Sequence, residues 1–231
     1  MTGSSDSILR AAGALRALAG TTLRNFGGGF SPGNQRAADM GRLARRLNAP
    51  VVMPRQVHGT RVVDAVTGAG EEADAIVCSD ASLAVAIVTA DCLPVMIMDP
   101  ESGTRAACHA GWRGLAAGVI ENTLTHFPTP DRIQVWIGPA ICQDHFEVGN
   151  DVLDAFVAAD SADAGHFVEN GRGRWQADLP GLAVARLKRG GVRHISCSRE
   201  CTFCDPRRFF SHRRDGSPGR HCSFIVSGPS I

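Results

Sequence analysis

"LAVAIVTADCLPVMIMDP", residues 83–100, decides the class of fold. Its two apolar runs, 83–90 and 94–98, are dense in valine, isoleucine and methionine, and both read as strands buried along nearly their whole length. Thr89, Ala90, Asp91 and Cys92 interrupt them, and Pro94 opens the second run. A carboxylate at such a junction is costly unless a partner or a metal lies beside it.

Outward from this pair, further apolar runs predict strands at 51–53, 61–66, 74–78, 104–108, 133–137, 193–197 and 222–226. Helical spacing is clearest at 115–126 through Leu115, Val119 and Leu124, at 150–159 through Val152, Leu153, Phe156 and Val157, and at 179–189 through Leu179, Leu182, Val184 and Leu187. A more basic helix is expected over 36–47. Hairpin-length gaps occur beside longer ones, so the class is α+β, a mixed α/β arrangement of mixed sheets flanked by helices. No repeat, low-complexity tract or long linker divides the 231 residues, and a single domain over 1–231 is expected.

Lysine and arginine total 24 against 23 acidic residues, so the net charge of +1 supplies no general field for nucleic acid or an anionic membrane. Any anion must be held locally. The N-terminus lacks a signal-peptide core and no later run is long enough to span a bilayer, which points to a cytoplasmic protein. No oligomerisation motif is visible, and a monomer is the default. Eight cysteines in a chain of this length act as reduced core fillers, nucleophiles or metal ligands rather than as staples.

Three stretches carry chemistry, each at a strand edge: "RQVHGTRVV" with His58, the Asp91–Cys92 junction, and "RAACHAGWRG", residues 105–114, with His109 at the end of a strand. Two histidines and a thiolate are a donor set that zinc favours, and three protein ligands leave a fourth position open for water or substrate. The same atoms serve equally as a metal-free Cys-His pair with Cys92 as nucleophile, and the residues alone do not separate the two. Asp91 is a candidate proton acceptor or a support for a ligand histidine. After His109, glycines turn the chain into a helix from about Leu115, whose N-terminus is expected to face the site, with Arg113 beside it as an anion contact and Trp112 packing nearby.

"CSRECTFC" brings Cys197, Cys201 and Cys204 together, but His194, His212 and Cys222 do not complete a zinc knuckle cleanly, so Cys201-x-x-Cys204 is read as incidental. In "RRFFSHRRDG" two phenylalanines anchor a segment that presents His212, Arg213 and Arg214, a local cationic cluster.

"QVHG", "TADCLPV", "HAGWRGL", "IGPAI…FEVG" and "CTF…RRFFSHRRDG…GR" occur in that order from residue 55 onward, and together they closely resemble the YfiH-like family, also called the laccase-domain or polyphenol oxidase family. The resemblance implies a mixed αβ sandwich grouped with cysteine hydrolases, and zinc bound by His58, Cys92 and His109. It also implies phosphorolysis of adenosine, inosine, guanosine and methylthioadenosine, with adenosine deamination as a second reaction. Purine nucleoside and phosphate are then the small-molecule partners, and Gln56, Arg113, Arg213, Arg214 and Arg24 are the substrate or phosphate contacts. The laccase label implies copper, which is a second choice here because eight scattered histidines cannot hold several coppers. The alternatives are a Cys92-dependent hydrolase or amidase without metal, and a zinc-stabilised nucleotide-binding module. Over about 1–50 the chain departs from the family pattern. "TTLRNFGGGFSPGNQRAAD" carries an insertion-like Leu-Arg-Asn-Phe, and Arg24 with Gly27 to Gly29 is expected to form a remodelled loop at the substrate pocket.

Overall fold

The computed structural model describes residues 7–12, 17–31, 34–216 and 219–227. Its strands are β1 (Ile8–Arg10), β2 (Leu18–Thr22), β3 (Val51–Val52), β4 (Val62–Asp64), β5 (Ala75–Cys78), β6 (Ala84–Thr89), β7 (Leu93–Met98), β8 (Arg105–Ala110), β9 (Gln134–Ile137), β10 (Glu147–Val148), β11 (Phe167–Asn170), β12 (Arg174–Ala177), β13 (His194–Cys197) and β14 (His221–Val226). The helices are α1 (Asn34–Leu47), α2 (Trp112–Ala117), α3 (Val119–Leu124), α4 (Asn150–Val157), α5 (Leu179–Arg189) and α6 (His212–Asp215).

Because successive strand side chains point to opposite faces, the buried pattern reports the layers directly. On β6, Val85 and Ile87 meet Ile76, Met96 and Trp136 of another sheet, while Ala86 and Val88 face Phe30 and Leu43 on the α1 side. On β7, Val95 and Ile97 point the other way, toward Val119, Phe156 and Leu182 of α3, α4 and α5. The result is a four-layer sandwich: helices, a six-stranded sheet, a five-stranded sheet, and α1.

The six-stranded sheet runs β13-β9-β7-β8-β5-β4 and the five-stranded sheet β1-β2-β14-β6-β3, each combining parallel and antiparallel pairs. The two strands of residues 83–100 therefore belong to different sheets, and Ala90 to Cys92 form the crossover between them. The class is the expected α+β, with mixed sheets.

Three details differ from the expectation. The helix foreseen over 115–126 is two, split at Gly118, whose φ of +98° ends α2 in a left-handed turn that α3 restarts from. β1 and β2 occupy an N-terminal stretch in which no strand is predicted; β2 is held from outside by antiparallel pairing with β14, far along the chain. The three-stranded sheet β10-β12-β11 is also additional.

Ile87 is fully buried at the sheet-to-sheet interface, whereas Val168 on β11 is 57% exposed. Ile87→Ala is expected to lower unfolding free energy by about 2–5 kcal/mol, while Val168→Ala stays within about 0.5 kcal/mol. Urea denaturation, with an unchanged slope, checks both.

Candidate active site

The two sheets meet at the crossover, and three segments converge there. His58 lies in the loop before β4, Cys92 immediately before β7, and His109 within β8 one residue before its end. One nitrogen of each ring and the Cys92 Sγ lie within 4.8 Å of one another. The two imidazole rings meet edge to face, with centroids 4.8 Å apart.

A buried carboxylate that sequence reasoning missed organises them. Asp74, with no exposed surface, accepts backbone N–H bonds from Val57, His58 and Gly59 at 3.2, 2.9 and 2.6 Å, and its Oδ1 lies 2.7 Å from His109 Nδ1. These donors hold the His58 backbone at a φ of +63°, a left-handed conformation unfavourable for a residue with a side chain. Burial alone raises the Asp74 pKa, but the His109 ring and the backbone N–H groups outweigh it and hold it below the ordinary range.

The pair beside it is polarised. Burial pushes the Cys92 thiol up, yet His109, with help from His58, brings it down to about 6. Burial lowers His109 in turn, while Cys92 and Asp74 raise it to about 9. Near neutrality Cys92 is thus a thiolate, the form that binds metal or attacks an electrophile. The backbone leaves room for a ligand set of this kind: a Cβ at Gly111 would lie 3.0 Å from His58 Cδ2, 3.1 Å from Cys92 Sγ and 3.7 Å from His109 Nε2. At Gly114 it would come 2.6 Å from the Gly59 carbonyl, so α2 packs directly on the His58 loop. The donor types, their mutual reach and the thiolate all fit zinc.

Asp91 does not support a ligand histidine as expected; Asp74 has that place. The Asp91 carboxylate accepts hydrogen bonds from Thr202 Oγ1 (2.6 Å), Ser211 Oγ (3.0 Å) and the Arg213 backbone N–H (2.7 Å), which occupy three of its lone-pair positions while the residue still borders the cavity described below. It is a clamp joining the crossover to the C-terminal segment, at a φ of +89°.

A cavity of about 630 Å³ opens over the three donors. Trp112, Phe146, Arg113 and Arg213 are among the residues that line it. Arg113 stacks over Trp112 at 4.4 Å and pairs with no carboxylate among the described residues, so its fork is available. Arg213 donates to the His145 and Glu147 carbonyls (3.4 and 3.0 Å) yet still borders the cavity. Gln56 also borders it, but its amide is closed on the Val88 backbone by two 2.7 Å bonds, so it positions the loop. The Thr89 hydroxyl is buried at the cavity wall without a hydrogen-bond partner among the described residues.

Two other expected anion contacts lie elsewhere. Arg214 is spent on the carbonyls of Thr202, Phe203 and Phe209 and on Asp215. Arg24 reaches Pro206 and Asp215, away from the cavity lining. Nor does the Gly27–Gly29 loop border the cavity; it folds over buried Asp39, which accepts from the N–H groups of Gly28 and Phe30. α2 begins at Trp112, three residues earlier than expected, so Arg113 belongs to its first turn.

Cys201 and Cys204 are not incidental neighbours either. Cys142 and His145, from the segment after β9, join them in a second group capable of holding a metal. The signal was legible as C-x-x-H at 142–145 matching C-x-x-C at 201–204, but it paired segments far apart in sequence.

A family model described as multi-copper polyphenol oxidoreductase laccase matches residues 33–228. A purine nucleoside phosphorylase of Pseudomonas aeruginosa is 46% identical over 187 residues, covering 80% of this chain and 77% of its own. Adenosine deaminase RL5, from an unknown prokaryotic organism, is 38% identical over 184 residues, covering 72% of this chain and 70% of its own. The crystal structure of a Neisseria meningitidis protein is similar with a TM-score of 0.91 at 36% identity, covering 96% of this chain and 100% of that one. No helix among the described residues is long and apolar enough to cross a membrane.

A thiol at about 6 reacts as its thiolate, so alkylation of Cys92 in metal-free protein is expected to rise through pH 6 and level off by about pH 8. Asp74→Asn removes a group that keeps His109 charged, and the rise should move upward toward the ordinary thiol value of 9.0. Peptide mass spectrometry across a pH series reads both.

Proposed function

The chain belongs to the multi-copper polyphenol oxidoreductase laccase family, and from that membership we propose that it is a zinc-dependent purine nucleoside phosphorylase. Its substrates are adenosine, inosine, guanosine and methylthioadenosine, with adenosine deamination as a second activity in the same cavity. The observation that carries this reading is the junction of His58, Cys92 and His109, held by Asp74, at the base of a cavity that also presents Arg113. A volume of about 630 Å³ suits a nucleoside and an inorganic anion together.

His58, Cys92 and His109 are the residues that would hold the zinc. When bound, zinc supplies a Lewis acid that polarises an oxygen or lowers the pKa of water. Asp74 Oδ1 would accept a hydrogen bond from His109 Nδ1–H, so that the proton given up on metal binding is the one on Nε2, the nitrogen left for the ligand bond. The Arg113 guanidinium offers a planar two-pronged contact for phosphate, and Arg213 stands on the same cavity as a second cation. Trp112 and Phe146 supply apolar surface for the purine. In phosphorolysis a phosphate oxygen bonds to the sugar C1′ as the C1′–N bond to the base breaks and the base takes up a proton; the arginines hold the nucleophile against that carbon.

A second reading, a Cys92 hydrolase or amidase without metal, is favoured by the lowered pKa of the thiol. Metal removal separates the two. The phosphorylase reading expects inosine to be consumed only when phosphate and zinc are present, yielding free base and ribose phosphate. Chelation should cost at least about a hundredfold in rate, restored by zinc more fully than by copper. Full activity of the demetallated protein toward an ester or amide would instead assign the chemistry to the thiol.

Arg113→Lys replaces the fork by a point charge. It is expected to keep zinc occupancy and thermal stability while raising KM for phosphate about tenfold or more, a loss of about 1.4 kcal/mol or more. Steady-state kinetics at varied phosphate reads the effect. An unchanged KM would move the anion contact to Arg213.

A further inference from the structure

We propose that Cys142, His145, Cys201 and Cys204 form a second, structural zinc site, separate from the cavity. Their ligand atoms lie within 4.8 Å of one another. Cys142 Sγ is 3.2 Å from His145 Nδ1 and 3.9 Å from Cys204 Sγ, and Cys204 Sγ is 3.5 Å from His145 Nδ1. In a tetrahedral zinc site, bond lengths of about 2.3 Å to sulfur and 2.0 Å to nitrogen place neighbouring donors roughly 3.5–3.8 Å apart. The three separations, 3.2, 3.5 and 3.9 Å, fall within about 0.3 Å of that range, and sulfurs 3.9 Å apart are not bonded to each other.

The surroundings are those of a ligand set. The Cys142 backbone N–H points at Cys201 Sγ from 3.3 Å, a bond that favours a thiolate. The His145 ring stacks on Phe203, centroids 4.1 Å apart, which fixes its plane with Nδ1 toward the sulfurs. The two donor pairs come from separate segments laid side by side by the parallel bridge between Ala140 and Cys201, with Thr202 N–H donating to the Ala140 carbonyl. None of the four residues lines the cavity. Cys204 is exposed, so the ion enters from solvent without crossing the active site.

Three sulfurs and one nitrogen fill a tetrahedron, which is the closed arrangement of a structural site; His58, Cys92 and His109 leave one position open. The closed site ties the segment after β9 to the segment after β13. Those segments carry Phe146 and Arg213 of the cavity wall.

The test loads full-length protein, purified under reducing conditions, with zinc and measures bound metal per chain after gel filtration. Wild type should hold about two ions, Cys92→Ser about one, and His145→Ala with Cys204→Ser about one. Combining all three substitutions should leave about none. Because His145→Ala with Cys204→Ser could fail for reasons of packing, His145→Cys is the control: it keeps four donors and should keep the second ion. In the Cys92→Ser background, cobalt in place of zinc should give an intense thiolate-to-metal charge-transfer band that disappears when Cys142, Cys201 and Cys204 are all replaced by Ser and persists in His145→Cys. A single ion in the wild type that is lost with Cys92→Ser would overturn the proposal. So would a Cys142–Cys204 disulfide in chain purified without reductant, or a cobalt band that survives the loss of all three thiols.

Discussion

The structure turns on one buried carboxylate. Asp74 stands at the entry to β5 with no exposure, and a charge so placed is tolerable only if its lone pairs are filled. Four donors fill them: three successive backbone N–H groups around His58 and the ring of His109. One anion thereby fixes a loop in a left-handed turn, orients the ring of a histidine on a different strand, and sets the two rings edge to face. The thiol of Cys92 then enters a field already made positive, which is why it ionises below its ordinary range.

Asp91 performs the matching task on the other side of the crossover. Its three bonds to Thr202, Ser211 and Arg213 pull the C-terminal segment across the seam between the sheets. Arg214 completes that attachment from within, by binding three carbonyls of the same segment. The basic run of "RRFFSHRRDG" is therefore divided by geometry: one arginine holds the loop together, and its neighbour reaches the cavity. Composition cannot divide them, because both residues carry the same charge and differ only in what surrounds them. The proposed second zinc site adds a further tie to that same segment.

Much of the fold was legible. The continuous apolar runs of β6 and β7, the helices α1, α4 and α5, and the strand before His109 follow from local pattern, because burial on both faces or on one stripe leaves a periodic trace. β1 and β2 left none. "ILR" is only three residues long and "LAGTT" carries a single large apolar side chain, so both become strands by pairing, β2 with β14 and β1 with β2. The split at Gly118 escaped too, since apolar spacing passes through the break without interruption.

The sequence by itself picked out the candidates for chemistry: His58, Cys92 and His109 stand in motifs whose residue types suit a metal or a nucleophile. Tertiary structure alone decided which acid serves them. Asp74 and Asp91 look alike in the chain, each beside a strand, and what separates their roles is the set of donors that folding delivers to each. The same holds for Cys142 and His145, whose partners lie about sixty residues away. Hydrogen bonds and ligand sets act over a few ångströms in space, and local sequence encodes that distance only when both partners fall within one turn or one strand.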